Sequence, residues 1–504
     1  MPLNSPDLST LAHLDNSMMH RRSFIVRSGL ALAAAGSTAG HARGQPEQVD
    51  VAIVGGGLAG LTAAMTLREQ GVGVVVLEGS GRAGGRVQTA DSYPGHPDLG
   101  GVQIGPMYAR VRNLARRLKV PLAPGAHVNA PYCAVVGGTL IAAKDWASSP
   151  LNRLEGAERR VPPHALSGFF VEQRSPFTSL EDWLAPDAAR YDISLGQWLR
   201  DQKASPEAQR IILATQGATP LDEIALLRMF QEATRSKFDF KSIADRPDLA
   251  GKDVFERFAI TSSHVVGGSN RLIEAVQASL GDALRLQHRV TRIEQRNGRC
   301  TVRCANGNQF IARRVVCAAP FSVLRNVAMD PVPPDVQAEA ISQMPYSNQS
   351  QVWLRVLKPY WEDDGLEASM WSDGPFTLIR QQIESDGSRQ LVSVLSFGPN
   401  SNRIDAMPEA ERGRYALNYL TKIRPSMAGR LEVLGVHSWR LMPLIAGCSH
   451  QFRPGRAFDW AREMVKPHIG IHFAGEHTRS LEVGMESAME SGDRAALEVL
   501  EALA

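Results

Sequence analysis

The chain has 504 residues, of which 43% are hydrophobic and 21% charged, so it is long enough for a large core and more than one domain. Its formal net charge of +3 is small for this length, and no long basic run with interleaved aromatic residues occurs, which argues against nucleic acid as a partner. The five cysteines fit neither a disulfide scaffold nor a zinc-binding pattern, because Cys300 and Cys304 lack a second close pair.

Residues 1–47 are predicted to be an export signal and leader rather than part of the folded protein. His20-Arg-Arg-Ser-Phe-Ile25 supplies paired arginines, a short apolar stretch runs from Ser28 to Gly40, and Gly40-His-Ala42 resembles a small-residue cleavage site. The apolar stretch is shorter than the ~20 residues that a membrane-spanning helix needs, so no stable membrane insertion is expected. We expect a twin-arginine signal and a periplasmic or secreted protein. A disordered basic leader without an address is the alternative.

A nucleotide-binding βαβ unit is predicted between Val51 and Glu78. A β-branched run leads into a G-x-G-x-x-G motif at Gly55, Gly57 and Gly60. These glycines would allow, in turn, a tight turn, a close approach of the backbone to a pyrophosphate, and packing of the helix on the strand. Leu58 and Ala59 open the helix, whose unpaired N–H groups would face the phosphates. A second apolar run ends in Glu78, which would accept hydrogen bonds from a ribose.

A second glycine-rich loop, Gly81-Arg-Ala-Gly-Gly-Arg86, follows this unit. Arg82 and Arg86 can reach phosphate oxygens with fork-shaped donors, while Gly84 and Gly85 let the backbone pass close to a ligand.

Together with Asp98-Leu-Gly-Gly-Val-Gln-Ile-Gly-Pro106, these motifs resemble the flavin-dependent amine oxidase family, which includes monoamine oxidases, polyamine oxidases and L-amino-acid oxidases. A nicotinamide dehydrogenase would not be expected to carry the second glycine loop. The resemblance implies FAD as the cofactor, with Gly101 in its site. It also implies a Rossmann-like, glutathione-reductase-like α/β domain interleaved with an α+β substrate domain.

The rest of the chain divides between these two domains. Helical patterns such as Ser194–Arg200 and Pro206–Ala233 precede a segment that alternates apolar and polar residues, for example Gln351–Val356. The FAD-binding domain is predicted to comprise residues 48–120, 256–325 and 447–504. The substrate domain is predicted to comprise residues 121–255, mainly helical, and 326–446, an antiparallel sheet.

Further cofactor contacts are implied by the resemblance. The backbone of Val290 would contact the adenine. Ile471-His-Phe-Ala-Gly-Glu-His-Thr478 resembles the family's F-A-G-E-x-T segment, so Glu476 would meet the ribityl or phosphate region. A final helix that starts near Met485 would point its positive end at the flavin pyrimidine, where negative charge appears on reduction.

The substrate pocket departs from the family at three positions. Gln351 stands where many members have a lysine that assists the reaction with oxygen, so either oxygen is handled differently or another acceptor takes the electrons. Ser449 and Gly484 stand where monoamine oxidases have two aromatic rings, with His450 near by if the loop shifts by one residue. The two-ring cage is therefore predicted to be absent, which favours a bulkier or differently shaped substrate.

Two more positions affect the substrate and the cofactor. Gly105-Pro-Met-Tyr108 resembles the G-P-M-R of amino-acid oxidases, but Tyr108 cannot form the bidentate ion pair of that arginine with a carboxylate. Arg110 is an alternative partner, although a surface or helix-end charge fits it better. Cys448 occupies the position that carries flavin as a thioether in mitochondrial monoamine oxidases. Both covalent attachment and a small buried cysteine remain open for it.

The resemblance thus predicts an FAD-dependent amine oxidase without a metal. It would transfer hydride from an amine C–H bond to flavin, give an imine and then an aldehyde or ketone, and reduce O₂ to H₂O₂ or pass electrons to another acceptor. The partner is a small-molecule amine. The alternatives are an L-amino-acid oxidase and a protein of another class that binds FAD or a partner without oxidising a substrate. The oligomeric state, with a homodimer among the candidates, is left open.

Overall fold

The computed structural model describes residues 45–125, 131–244, 246–252, 254–382, 388 and 390–504. The predicted export signal therefore lies outside the described residues, apart from its last three positions. The described residues belong to one compact unit.

The strands of the described residues form two large sheets and three two-stranded pairs. In chain order they are β1 (Glu47–Val54), β2 (Val74–Leu77), β3 (Gln88–Thr89), β4 (Asp98–Gly100), β5 (Leu122–Pro124), β6 (Tyr132–Val136), β7 (Thr139–Ile141), β8 (Ser263–Val265), β9 (Leu284–Arg285), β10 (Val290–Arg296), β11 (Arg299–Cys304), β12 (Gln309–Cys317), β13 (Ala328–Asp330), β14 (Tyr346–Ser347), β15 (Gln349–Val356), β16 (Ser369–Ser372), β17 (Leu378–Gln381), β18 (Leu391–Phe397), β19 (Leu431–Ser438), β20 (Ser449–His450) and β21 (Ile471–Phe473).

The α-helices of the described residues are joined by short 3₁₀ turns. In chain order they are α1 (Leu58–Glu69), α2 (Ala109–Arg117), α3 (Leu166–Val171), α4 (Leu195–Asp201), α5 (Pro206–Thr215), α6 (Leu226–Ala244), α7 (Val254–Thr261), α8 (Asn270–Leu280), α9 (Phe321–Leu324), α10 (Asp335–Gln343), α11 (Tyr360–Asp364), α12 (Gly398–Asp405), α13 (Glu409–Ile423), α14 (Ala457–Glu463) and α15 (Gly484–Leu503).

The first sheet contains the predicted βαβ unit. Its order is β13-β10-β11-β12-β1-β2-β9, and β21 joins it by pairing with the end of β12. β1 pairs in parallel with both β12 and β2, and α1 connects β1 to β2. Val51, Ala52 and Ile53 are fully buried, which explains why β1 has a continuous apolar run instead of an alternating one.

One predicted strand of this sheet differs from the structure. The sequence predicts a strand over Leu286–Ile293, but β9 ends at Arg285 and β10 begins only at Val290. Gln287 between them has a φ of 59°, a left-handed conformation that no strand accommodates. In addition, β13 belongs to this sheet although it lies beyond residue 325, where the sequence places the end of this part of the FAD-binding domain.

The second sheet has the order β19-β15-β18-β17-β16-β6-β7. Its pairs within residues 326–446 are antiparallel, but β16 and β6 pair in parallel. The sheet is therefore mixed rather than purely antiparallel, because β6 and β7 come from the segment predicted to be mainly helical. Its strands β15, β17 and β18 line the same cavity as the glycine motifs of the first sheet.

Two of the helices between residues 166 and 244, α4 and α5, begin at a capping serine. Ser194 Oγ accepts a hydrogen bond from Gln197 N (3.0 Å) at the start of α4, and Ser205 Oγ accepts one from Ala208 N (3.1 Å) at the start of α5. The predicted amphipathic stretch Pro206–Ala233 corresponds to two helices, α5 and α6, rather than one. No helix in the described part of the chain is long and apolar enough to cross a membrane.

Candidate active site

A cavity of about 1170 Å³ is lined by both large sheets. One wall consists of the glycine turn after β1, the second glycine loop and the residues around Glu476. The opposite wall consists of side chains from β15, β17 and β18. A single cavity thus joins the predicted cofactor motifs to the predicted substrate sheet.

The glycine turn has the geometry of a phosphate-binding site. Gly55 has a φ of 105°, and a Cβ on Gly60 would lie 2.1 Å from the carbonyl oxygen of Gly55. A Cβ on Gly57 would meet no atom within 4 Å, so this backbone is open towards the cavity. No side chain caps the start of α1, and Leu58 and Ala59 line the cavity there. Gly60 does not line the cavity; it allows α1 to pack closely on β1.

Glu78 is fixed at the end of β2 by backbone amides. Its Oε2 accepts a hydrogen bond from Gly56 N (2.8 Å), and its Oε1 accepts one from Ser80 N (2.7 Å). The carboxylate lines the cavity and is almost fully buried. A carboxylate oriented in this way is suited to accept hydrogen bonds from the hydroxyl groups of a ribose.

The two arginines of the second loop differ in their contacts. Arg82 donates to the carbonyl oxygens of Ala83 (3.0 Å) and Val87 (3.2 Å), to the carbonyl of Gly85, and to Gln88 Oε1 (2.7 Å). These hydrogen bonds hold the loop together, and because Arg82 also lines the cavity, its contact with a phosphate stays a prediction. Gly85 lines the cavity and has a φ of 57°.

Arg86 connects the second loop to the C-terminal part of the chain. It donates to the carbonyl oxygen of Cys448 (2.6 Å) and to Glu476 Oε2 (3.3 Å). Burial by itself lowers the pKa of Arg86, but the neighbouring carboxylate of Glu476 outweighs it, and the net shift is upward. The guanidinium is therefore a permanent charge on the cavity wall.

Glu476 is the centre of a buried charged cluster. His450 Nδ1 lies 3.1 Å from Glu476 Oε2, and an Arg479 nitrogen lies 3.8 Å from Glu476 Oε1. Burial lowers the pKa of His450 to about 4, so its ring is neutral at pH 7 and donates its Nδ1–H. Burial by itself raises the pKa of Glu476, but its interactions with His450, Arg86 and Arg479 hold it well below the usual range.

His450 itself is fully buried and does not line the cavity, so it is not a pocket residue. A second histidine, His477, does line the cavity, and neither of its ring nitrogens has a hydrogen-bond partner among the described residues. Sequence reasoning passed over His477 because it stands at the variable position of the F-A-G-E-x-T segment. Buried polar atoms without a partner on a cavity wall are the sign of a site that receives a polar ligand.

The remaining cofactor positions lie in the same cavity. Gly101, Val290, Cys448 and Met485 all line it. α15 begins at Gly484, next to the predicted Met485, so its N-terminus faces this space. With Glu78 at one end and this helix at the other, the donors and acceptors present fit a dinucleotide such as FAD.

Gln351 is held by the protein on both sides of its amide. Its Nε2 donates to the carbonyl oxygen of Leu99 (2.8 Å), and its Oε1 accepts from Trp353 Nε1 (3.0 Å). The side chain lines the cavity but is almost fully buried. One N–H is left without a protein partner, so this amide has little capacity to bind a water or a substrate group.

Tyr108 and Gly484 are in contact. A Cβ on Gly484, which has a φ of 60°, would lie 2.8 Å from the hydroxyl oxygen of Tyr108. Both residues line the cavity, and burial raises the pKa of Tyr108. The space beside position 484, where monoamine oxidases have an aromatic ring, is therefore occupied by the phenol of Tyr108, which directly precedes α2. Arg110 pairs with Glu486 (3.3 Å) and does not line the cavity, so it does not replace the missing carboxylate-binding arginine.

Ser449 lies on the cavity wall and contacts Arg228, a charged residue that the sequence did not identify as part of the site. Arg228 of α6 donates to Ser449 Oγ (3.2 Å) and pairs with Glu232 (2.8 Å). Burial lowers the pKa of Arg228. The signal was present in the charged residues of the predicted amphipathic helix, but their i,i+4 spacing is equally typical of a solvated helix face.

The comparisons with known proteins agree with this geometry. The model of the family described as flavin containing amine oxidoreductase matches residues 58–500. The chain is 26% identical to a probable flavin-containing monoamine oxidase A of Dictyostelium discoideum, with 90% of this chain and 98% of the relative covered. It is 27% identical to the flavin-dependent L-tryptophan oxidase RebO of Lentzea aerocolonigenes, with 90% and 98% covered.

Two solved structures share the fold. Cyclohexylamine oxidase from Brevibacterium oxydans has a TM-score of 0.71 at 23% identity, and 90% of this chain and 99% of that chain are covered. Wild-type putrescine oxidase bound to putrescine has a TM-score of 0.72 at 20% identity, with the same shares covered. The predicted fold class is confirmed.

Proposed function

The chain belongs to the flavin containing amine oxidoreductase family, and on that basis we propose that it takes hydride from the C–H bond next to the nitrogen of a small amine. The resemblance inferred from the sequence is thus confirmed: the protein is an oxidoreductase that acts on amines, and FAD is its cofactor. Bound FAD would accept the hydride and pass electrons to O₂, giving H₂O₂, or to another acceptor. The product would be an imine, which water converts to an aldehyde or ketone.

The observation that supports this proposal is the shared cavity. The residues that fit FAD and the side chains of β15, β17 and β18 line one continuous space, so an amine on the sheet side can reach the flavin. Gln351 and Tyr108 lie on its wall as uncharged polar groups, and they would orient the substrate rather than exchange protons with it. Membership of an oxidoreductase family argues against the alternative of a protein that binds FAD without oxidising a substrate.

The test is anaerobic reduction of the flavin across a panel of primary, secondary and aromatic amines, with amino acids included. We expect at least one class of amine to bleach the flavin absorbance and to yield the matching carbonyl compound. If no compound reduces the flavin anaerobically, the proposal is wrong. Reduction by α-amino acids alone would instead support the L-amino-acid oxidase alternative.

The acceptor can be tested at Gln351. Because the position carries no positive charge, we expect O₂ to reoxidise the reduced wild-type protein slowly, and Gln351→Lys to speed this step about tenfold or more by stabilising the negative charge that develops on oxygen. The measurement is stopped-flow mixing of the photoreduced protein with O₂. Gln351→Met, of similar size and uncharged, is the control. A wild-type rate equal to that of the lysine variant would contradict the expectation.

Covalent attachment can be tested at Cys448. Its Sγ lies 2.9 Å from Gln349 Oε1 on the cavity wall, and burial raises the pKa of the thiol to about 11. A thioether to the flavin and a space-filling thiol both remain open, and the two differ in one result: with a thioether, acid-precipitated wild-type protein stays yellow whereas Cys448→Ala releases all of its flavin. Colour that leaves entirely with the supernatant of the wild-type protein would show that Cys448 only fills space.

We also propose that the protein is exported through a twin-arginine signal to the periplasm or the medium. The support is the sequence of residues 1–47 alone. A fusion of these residues to a folded reporter should be exported, and replacement of both Arg21 and Arg22 by lysine should keep the reporter in the cytoplasm. A fusion that stays cytoplasmic with the arginines intact would refute export.

A further inference from the structure

Arg380, at the end of β17, belongs to the cavity wall. Trp353 of β15 pairs with Ser393 of β18, and Ser393 pairs with Arg380 of β17. Because directly paired residues place their side chains on the same face of a sheet, these three side chains form one row. All three line the cavity. Arg380 therefore presents a cation to the space that the proposed function assigns to the substrate.

This arginine differs from the other interior arginines in its partners. Arg228, Arg235 and Arg424 each pair with a carboxylate at 2.7–2.9 Å. Among the described residues, no carboxylate lies within ion-pair distance of Arg380. Its Nε is buried and has no hydrogen-bond partner there, which is also true of Arg228 and Arg355, so the lack of a paired carboxylate is what distinguishes Arg380. A guanidinium that is partly removed from water without a counter-ion favours the binding of an anion.

The described groups next to Arg380 are neutral. The guanidinium lies beside the phenol of Tyr132, and the ring of His164 packs against that phenol with a centroid distance of 4.7 Å. Burial and the charge of Arg380 lower the pKa of His164 to about 4, so this ring is uncharged at pH 7. Gln382 also lines the cavity and donates to Ser393 Oγ (2.8 Å). None of these groups neutralises the arginine.

Arg380 and Gln351 lie far enough apart on the cavity wall to contact opposite ends of one substrate. β15 and β17 are two strands apart, which places their backbones about 10 Å from each other across the sheet. Gln351 contacts the carbonyl oxygen of Leu99, on the side of the cofactor loop. An amine oxidised near Gln351 could therefore extend along the sheet and place a second group at Arg380.

We propose that Arg380 binds a carboxylate of the substrate through a bidentate hydrogen-bonded ion pair, and that the substrates are amines that also carry a carboxylate. This inference rests on the proposed function for the amine end, but the anion site itself does not. It identifies a carboxylate site on β17, away from Tyr108, which stands where amino-acid oxidases have their carboxylate-binding arginine.

The binding test uses a carboxylate that cannot be oxidised. Phenylacetate is titrated into the FAD-loaded protein by calorimetry, together with the variants Arg380→Met and Arg380→Lys. We expect Arg380→Met to weaken binding about 10- to 100-fold and Arg380→Lys to weaken it less, because lysine keeps the charge but loses the fork. Equal affinity in the wild type and Arg380→Met, or no binding to the wild type, would overturn the inference.

A matched control excludes a general loss of structure. Arg355 is a partly exposed arginine of the same sheet that pairs with Glu432 and does not line the cavity, so Arg355→Met should leave both the affinity for phenylacetate and the flavin content unchanged. Tm is measured for all variants. If Arg380→Met also loses flavin or stability, the test rests on Arg380→Lys, which retains the charge. Weaker phenylacetate binding by a stable Arg380→Lys supports the inference, and unchanged binding contradicts it.

The turnover test compares amines in pairs. Each alkylamine is matched with the amino acid that has the same chain and a terminal carboxylate, and the rate of anaerobic flavin reduction is measured at low substrate concentration. We expect the wild type to prefer the carboxylate-bearing member about tenfold or more and Arg380→Met to lose that preference. Reduction by amines without any preference would refute this inference and leave the proposed function intact. If phenylacetate binds through Arg380 but no amine reduces the flavin, the proposed function is wrong and the anion site at Arg380 still stands.

Discussion

Replacement of Glu476 by glutamine should strip the protein of flavin and lower its stability by about 3–5 kcal/mol, because it leaves the cations around this carboxylate without their partner. Arg86 and Arg479 would lose a buried counter-charge, and the amide nitrogen would face the donor N–H of His450. The measurements are the flavin-to-protein ratio after purification and thermal unfolding with and without added FAD.

The chain offers a matched control for this variant. Glu498 also lies between a histidine and an arginine, His472 at 3.1 Å and Arg494 at 2.7 Å, but it does not line the cavity. Glu498→Gln should therefore lose some stability but keep its flavin. Equal flavin loss in both variants would show that the effect is general destabilisation rather than loss of a cofactor contact.

The pH dependence of this effect has a defined sign. The folded state holds the pKa of Glu476 below its ordinary value of 4.5, so the carboxylate stabilises the fold above that pH and loses this contribution as the pH falls further. The stability difference between the wild type and Glu476→Gln should be constant near neutral pH and shrink on acidification below about pH 4.5. A difference that grows on acidification would contradict the assignment of Glu476 as an ionised group.

The substitution Gly60→Ala should lower the stability of the fold about as much as Glu476→Gln does, because it disturbs the packing of the protein and not only the binding of FAD. The added Cβ would lie 2.1 Å from the carbonyl oxygen of Gly55, and a backbone atom cannot rotate away as a side chain can. α1 would have to separate from β1, which we expect to cost about 4 kcal/mol or more and to yield mostly insoluble protein. The measurement is the soluble yield and, where protein is recovered, the Tm.

Gly57 is the matched position for this variant. A Cβ there would meet no protein atom within 4 Å, and the residue has a φ of −74°, which alanine adopts without strain. Gly57→Ala should therefore fold normally but bind FAD more weakly, because the methyl group would occupy space towards the pyrophosphate. If Gly57→Ala bound FAD as tightly as the wild type, the placement of the pyrophosphate at this turn would be wrong.

The contact between Tyr108 and Gly484 explains how the pocket differs from a two-ring cage. The sequence differs from family members at two positions that were predicted separately. Tyr108 stands where amino-acid oxidases have an arginine, and Gly484 stands where monoamine oxidases have an aromatic ring. In the structure they are one arrangement, because the hydroxyl of Tyr108 occupies the space beside the Cα of Gly484. A larger residue at position 484 would have to displace the phenol. The shape of the pocket is thus set by the pair and not by either residue alone.

The sequence by itself was sufficient for the cofactor half of the protein. The G-x-G-x-x-G turn and Glu78 were assigned from spacing, the C-terminal Glu476 from the family resemblance, and each lines the cavity or supports it. This was possible because a phosphate-binding turn is a local conformation. Its glycines are required by backbone geometry that a short segment specifies without the rest of the chain.

The substrate half was decided only by the tertiary structure. Arg380 and Arg228 belong to no motif, and their place on or behind the cavity wall follows from strand register and helix packing between segments far apart in the chain. His477 belongs to a motif, but at its variable position, where the pattern specifies no residue type. The sequence context of Arg82 likewise shows a charged group in a glycine loop but not that this group donates to the carbonyl oxygens of its own loop. Side-chain direction in a sheet changes with a shift of one residue in register. Local motifs and the resemblance that they carry therefore determined which cofactor binds, whereas the tertiary structure determined which side chains face it.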